Sequence, residues 1–225
     1  GAHVGEPAYQ ALLARAAEAR RRALDTVQRR TGLALGEGQE RIVVRFVDLT
    51  APSKTLAATD TRTVHQRRCQ VVTFFLEPLL SGVPFEPALA HEVTHATMRQ
   101  LMGFKYGYVP EWVREGIAVW TARQTADKAA LVIPARIAKG SDPATLLNGF
   151  ETVPHSVDDY LEDALLFQYL ETTCGEACVQ GVIRDIVEGA HHRRAVKRSL
   201  LILERDPPPK RAAVSSKPEG ASRSP

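Results

Sequence analysis

The sequence is poor in cysteine, in aromatics and in long apolar runs, and it carries no strong excess of either charge. Each shortage removes a class of protein. With only Cys69, Cys174 and Cys178, a fully paired disulfide framework is excluded. No stretch holds about 18 consecutive apolar residues, so no segment is built to cross a bilayer as a helix. The net charge of +3 is modest and does not by itself call for a nucleic acid or a membrane surface. The chain starts at Gly1 rather than Met, which reads as a processed or truncated end, so the absence of a targeting signal here excludes no compartment.

What is there is the composition of a globular protein. The 225 residues are 44% hydrophobic and 24% charged, enough to bury one core and to add a helical lobe.

One stretch organises the rest. His91-Glu92-Val93-Thr94-His95 lies inside Ala88–Met98, which reads as a helix. Residues four apart on a helix share a face, so His91 and His95 point the same way and can grip one metal ion. Glu92 is rotated about a third of a turn away. It cannot join that grip, but it can reach a water beside the ion. A zinc hydrolase needs such an arrangement: ligands that leave one position open, and a carboxylate next to it.

A second motif follows at Pro110-Glu111-Trp112-Val113-Arg114-Glu115-Gly116-Ile117-Ala118-Val119-Trp120. Pro110 suits the first turn of a helix. Glu115 is one turn from Trp112 and from Ala118, which puts it on or near the buried side. A lone carboxylate there is costly unless paired or metal-bound. Gly116 removes side-chain bulk, so a histidine ring or another backbone can come close. A buried Glu that needs a cation and two His that need a third ligand complete a His2Glu site for Zn2+, with water in the fourth position.

Taken together, His91-Glu92-x-x-His95 and Trp112-x-x-Glu115-Gly116-x-Ala118 resemble the gluzincin metallopeptidases, and most of all their small peptidase MA-like domains. The likeness spans about residues 40–190, since Tyr160-Leu161-x-x-Ala164-x-x-Phe167-x-Tyr169-Leu170 also resembles that group. It implies an α+β, zincin-like fold, with a small sheet, then a zinc-binding helix, then a C-terminal helical lobe. It implies that His91, His95 and Glu115 are the metal ligands and that Glu92 is the general base of a zinc-dependent peptidase. It also places a tyrosine at Tyr160, the candidate donor to the oxyanion; the other reading of Tyr160 is a core aromatic, and His155 is the second candidate donor. Metzincins are excluded, because the positions of their glycine and third histidine hold Met98 and Leu101. A closed structural zinc site would need a fourth protein ligand, usually Cys, and none lies near either motif. One departure stands out. Where many thermolysin-like enzymes have an acid one turn after the third ligand, this chain has Val119. The histidines must find their outer partner elsewhere, at Glu151, Asp158, Asp159, Asp163 or a backbone carbonyl.

Around these motifs the chain divides into an N-terminal helix (1–32), a zincin-like domain (33–204) and a disordered tail (205–225). Residues 7–30 read as a helix with Tyr9, Leu12, Leu13, Ala16, Ala19, Ala23, Leu24 and Val27 near a 3.6 period. Its other face carries Arg15, Arg20, Arg21, Arg22, Arg29 and Arg30, which reads as a solvated face. With no base-reading motif beside it, nucleic acid is not expected as a partner; the expected partner is a peptide or protein substrate. Strands are expected at 41–48, 56–66 and 69–76. One of them could pair with an extended peptide, and which one is the edge is open. Glu77-Pro78 and Ser81–Pro84 mark a break before the zinc helix, which ends near Gly103. Tyr106 and Tyr108, in the loop between the metal helices, either stack on substrate or pack the loop. Residues 127–138 could be helical, 139–143 form a turn, and helices are expected at 157–173, 176–188 and 191–203. Cys174 and Cys178 either form a local disulfide, pointing to an oxidising compartment, or stay as thiols; the extracytoplasmic setting is expected from the family resemblance and the start at Gly1.

Overall fold

Proline at the first helical position gives up only an N–H that has no partner there anyway, and Pro7 opens α1 (Pro7–Thr31) in this way. Gly32 ends it in the left-handed region, at φ 71°, with its N–H on the Gln28 carbonyl. This is a computed structural model, and it describes residues 6–36, 41–47, 56–64, 67–124 and 159–205.

Three β-rich runs become strands, close to the expected bounds: β1 (Ile42–Val47), β2 (Ala57–Val64) and β3 (Arg67–Phe75). The sheet order is β1-β3-β2, with β1 parallel and β2 antiparallel to β3. The central strand is the most apolar: Val71, Val72 and Phe74 are all buried. Among the described residues both β1 and β2 are edges. Thr59 pairs with Val72, and Ile42 with Gln70. The break expected around Glu77-Pro78 is in fact a short helix, α2 (Leu76–Leu80). Pro78 is tolerated because a proline this early in a helix forfeits no helical hydrogen bond.

Next come α3 (Phe85–Met102), a 3-10 turn (Gly103–Tyr108) and α4 (Glu111–Thr121). After residue 124 the description resumes with α5 (Asp159–Cys174), α6 (Glu176–Val187) and α7 (His192–Arg205), as the three late helical patterns predict. A Cys174–Cys178 disulfide spans the α5–α6 junction around Gly175. The helix and turn expected at 127–143, and the tail beyond Arg205, lie outside the described residues. The architecture is α+β. No helix among the described residues is long and apolar enough to cross a membrane.

Two apolar cores meet on α3. Ala88, Leu89, Val93 and Ala96 join α1 and the sheet, where Leu12, Ala19, Val27, Val72 and Phe74 are buried. Met98 and Met102 join the helical core, with Trp112, Ile117, Trp120, Phe167, Leu170 and Ile183. That is why α3 has no broad exposed face: it is covered from both sides.

The basic face of α1 is solvated at Arg15, Arg21, Arg22 and Arg29, as expected, but not at Arg30. Arg15 and Arg22 pair with Glu86 of α3, and Arg21 pairs with Glu18. Arg20 Nε donates to the Ile42 carbonyl at 3.0 Å. Arg30 is not on a solvated face at all. It is 2% exposed and pairs with Glu171 of α5 at 2.9 Å, over the Trp120 ring. The C-terminal turn of α1 runs into the helical core. Periodicity read on a single helix does not show what packs against it.

Candidate metal centre

The helical spacing does what the sequence implies. His91 and His95 are one turn apart on α3, with ring centroids 4.8 Å apart. Their Nε2 atoms lie 3.1 Å apart. Helix α4 brings Glu115 to the same point, with Oε2 at 3.2 Å from His91 Nε2 and 3.3 Å from His95 Nε2. Trp112, Val113, Ile117, Val119 and Trp120 anchor α4 in the helical core, and Gly116 beside the carboxylate is buried.

A tetrahedral zinc with bonds of about 2.0–2.1 Å sets neighbouring ligand atoms roughly 3.3 Å apart. The three observed separations are close to that. The donor set is two imidazole nitrogens and one carboxylate oxygen, and the three form the one such cluster of ligating atoms among the described residues. All are largely out of water: the side chains of His91, His95 and Glu115 are 14%, 8% and 16% exposed. Burial acts to raise the Glu115 carboxyl, but hydrogen bonds from His91 and His95, and their charge, outweigh it and hold it well below the usual carboxylate range. Burial likewise acts to lower His91, and the Glu115 hydrogen bond with the charges of Glu92 and Glu115 raises it instead. Among the described residues no Lys or Arg pairs with Glu115. The residues present fit a divalent ion of zinc type.

Glu92 sits beside the cluster on α3. Its Oε2 accepts a hydrogen bond of 2.6 Å from the Thr59 hydroxyl of β2. Thr59 is tied to α3 a second time, because Arg99 donates to its carbonyl at 2.7 Å. The antiparallel edge strand therefore lies against the carboxylate.

Each histidine has a partner on its other nitrogen. His91 Nδ1 is 3.1 Å from Gln124 Oε1, and His95 Nδ1 is 2.9 Å from the Tyr106 hydroxyl. Neither is among the acids considered from the sequence. Of those, Glu151 and Asp158 lie outside the described residues, and the side chains of Asp159 and Asp163 are not described. Of the two linker tyrosines, Tyr106 is buried against His95, whereas Tyr108 is 81% exposed. Tyr160 falls in the first turn of α5, but its side chain is outside the description; His155 is outside it altogether.

His91, Glu92, His95 and Glu115 thus come together. Thr59 and Gln124 carried no sequence signal, since a threonine in a Thr-rich strand and a glutamine after a helix look like any others. Tyr106 had one: it lies in the short link between the two metal-bearing helices.

Comparisons with protein-family models, with curated proteins and with solved structures gave no match.

Proposed function

We propose that this protein is a zinc-dependent metallopeptidase of zincin-like fold. The observation that carries the reading is the convergence of His91 Nε2, His95 Nε2 and Glu115 Oε2 within 3.1–3.3 Å of one another, with Glu92 one residue along from the first ligand. His91, His95 and Glu115 hold the ion. When bound, zinc supplies a Lewis acid that makes water a nucleophile near neutral pH and polarises a carbonyl.

Glu92 is the general base. It takes the proton of the attacking water and passes it to the leaving amine. The Thr59 hydroxyl holds one oxygen of that carboxylate and so fixes its direction. Charge developing on the substrate oxygen needs a donor. Tyr160, at the start of α5, is the proposed one on the strength of the motif resemblance, with His155 second. Substrate is an extended peptide. The edge strand β2 suits it, because main-chain pairing on that edge would run past Glu92. The Cys174–Cys178 disulfide fits an oxidising, extracytoplasmic setting.

The test is Glu92→Gln, with zinc measured per chain and hydrolysis measured on a mixed peptide library. The wild type should hold one zinc and cleave peptides. The variant should keep its zinc and lose activity by about 100-fold or more. A variant as active as the wild type would remove Glu92 from the mechanism. Zinc without any cleavage in the wild type would leave a non-catalytic binding module with the same centre.

A further inference from the structure

We propose that Gln124 and Tyr106 are the positioning residues of the metal histidines, so that this centre is oriented by an amide and a phenol rather than by a carboxylate. The inference rests on reading the cluster as a metal centre.

The argument starts from the tautomers. Both Nε2 atoms face Glu115 Oε2 and each other, so when an ion is held at that point both must turn their lone pair to it. Each Nδ1 must then bear the hydrogen. Nδ1–H of His91 donates to Gln124 Oε1, and Nδ1–H of His95 donates to the Tyr106 oxygen. Each partner accepts the proton that must stay on, and so holds the ring in the metal-binding tautomer.

The backbone shows how Gln124 comes to be there. Helix α4 ends with Arg123 N–H on the Trp120 carbonyl at 3.1 Å and Gln124 N–H on the Val119 carbonyl at 3.2 Å. This pair of bonds is the Schellman arrangement, whose left-handed residue is usually glycine. Here it is Arg123 at φ 55°, the one non-glycine residue with positive φ among those described. For such a residue that conformation costs about 1–2 kcal/mol. The turn folds the chain back, and Gln124 reaches His91 across to α3. One helix therefore delivers both Glu115 and the partner of His91. Val119, where an acid would stand in related sites, is 3% exposed and belongs to the core instead.

Tyr106 is held as firmly. The 3-10 turn closes with Val109 N–H on the Tyr106 carbonyl, and the ring is buried. The guanidinium carbons of Arg99 and Arg114 lie over it at 4.8 and 5.0 Å. Arg99 also binds the Thr59 carbonyl, so the clamp on Tyr106 and the strand that holds Glu92 share one side chain. Neutral partners leave both imidazoles less basic than a carboxylate would, and a bound ion would keep more of its charge.

The experiment uses the full chain stripped of metal. Zinc affinity is measured by competition with a chromophoric chelator for the wild type, Gln124→Ala, Gln124→Glu and Tyr106→Phe, and the imidazole Nδ1–H groups are read by nitrogen-15 NMR of the protein reloaded with zinc. Gln124→Ala and Tyr106→Phe should each weaken zinc by about 10–100-fold. Gln124→Glu should bind at least as tightly as the wild type. In the zinc-loaded wild type both Nδ1–H groups should be hydrogen-bonded, and Gln124→Ala should lose that hydrogen bond at His91 alone. Gln124 is on the surface, so its replacement leaves the core intact. Zinc binding by the wild type with affinities unmoved in the variants would overturn the positioning role and leave the proposed function standing. A wild type that binds no zinc would take down both.

Discussion

Helix α4 carries two buried polar clusters about one and a half turns apart, and they settle their charge in opposite ways. At Trp120 the charges are matched within the chain. Arg30 of α1 meets Glu171 of α5 through two nitrogens, at 2.9 and 3.3 Å, and donates to the Trp120 carbonyl at 3.2 Å. Trp120 Nε1–H donates to the same carboxylate at 2.8 Å, and the guanidinium lies 4.1 Å from its ring centroid. At Glu115 they are not matched. Two imidazoles and a carboxylate converge on one point, and no Lys or Arg among the described residues answers the acid. Burial works against both carboxylates. Arg30 chiefly offsets it for Glu171, whereas for Glu115 only the histidines do so. Desolvating a charge is costly in either place. A cluster with its own counter-ion holds helices together, while a cluster with surplus acceptors is a place for a cation.

The comparison can be broken most directly at Glu115. Glu115→Ala should lower zinc affinity by more than roughly 100-fold, beyond the range of an outer partner, and isothermal titration on metal-free protein would show it. Unchanged affinity would mean that the acid is structural after all. The matched cluster should respond in stability instead. Arg30→Ala leaves Glu171 without its cation and should cost about 3–5 kcal/mol in urea unfolding, with zinc affinity unmoved. Arg30→Met combined with Glu171→Leu should recover part of that loss, because the Arg30–Glu171 pair is then removed together and only Glu176, 3.6 Å from Arg30, loses its cation. The smallest effect is in pH. Glu171 is held below its ordinary value of 4.5: burial acts to raise it, but the hydrogen bond and charge of Arg30 and the Trp120 hydrogen bond prevail. Its contribution is therefore fully present above about pH 4.5 and is lost as pH falls through the lower folded value. Glu171→Gln should flatten the stability profile in that acid window, read from unfolding midpoints, and leave neutral pH as the place where the two proteins differ most.

Much of this was open to reading from the chain. The i, i+4 histidines and the Glu–Gly pair are local patterns, and local patterns survive folding because helix geometry alone sets their spacing. The three strands, the first helix and the last three helices were equally legible from runs of β-branched residues, from 3.6 periodicity and from Gly32 and Gly175. The third ligand on the second helix was also legible, but the partners of Arg30 and of the histidines' outer nitrogens, which lie on other elements, were not. Arg30 looks like the other arginines of its helix, yet it is the one that meets Glu171. The outer partners of the histidines were sought among acids, whereas a glutamine and a tyrosine occupy those places. Tyr106 and Tyr108 are two residues apart and alike in sequence; only the turn of the 3-10 segment buries one and leaves the other in water.

The sequence by itself determined which residues could ligate a metal, which helices would carry them, and that a carboxylate would stand beside the histidines, because side-chain chemistry and the pitch of a helix are properties of short segments. Only the tertiary structure decided that α3 and α4 cross so as to bring three ligand atoms within 3.1–3.3 Å of one another. It alone put the hydroxyl of Thr59 on Glu92, and it alone chose Gln124 and Tyr106 for the histidines. Those contacts join residues far apart in the chain. They depend on how two apolar cores pack around one shared helix, and that packing is a sum over the whole molecule that no short stretch contains.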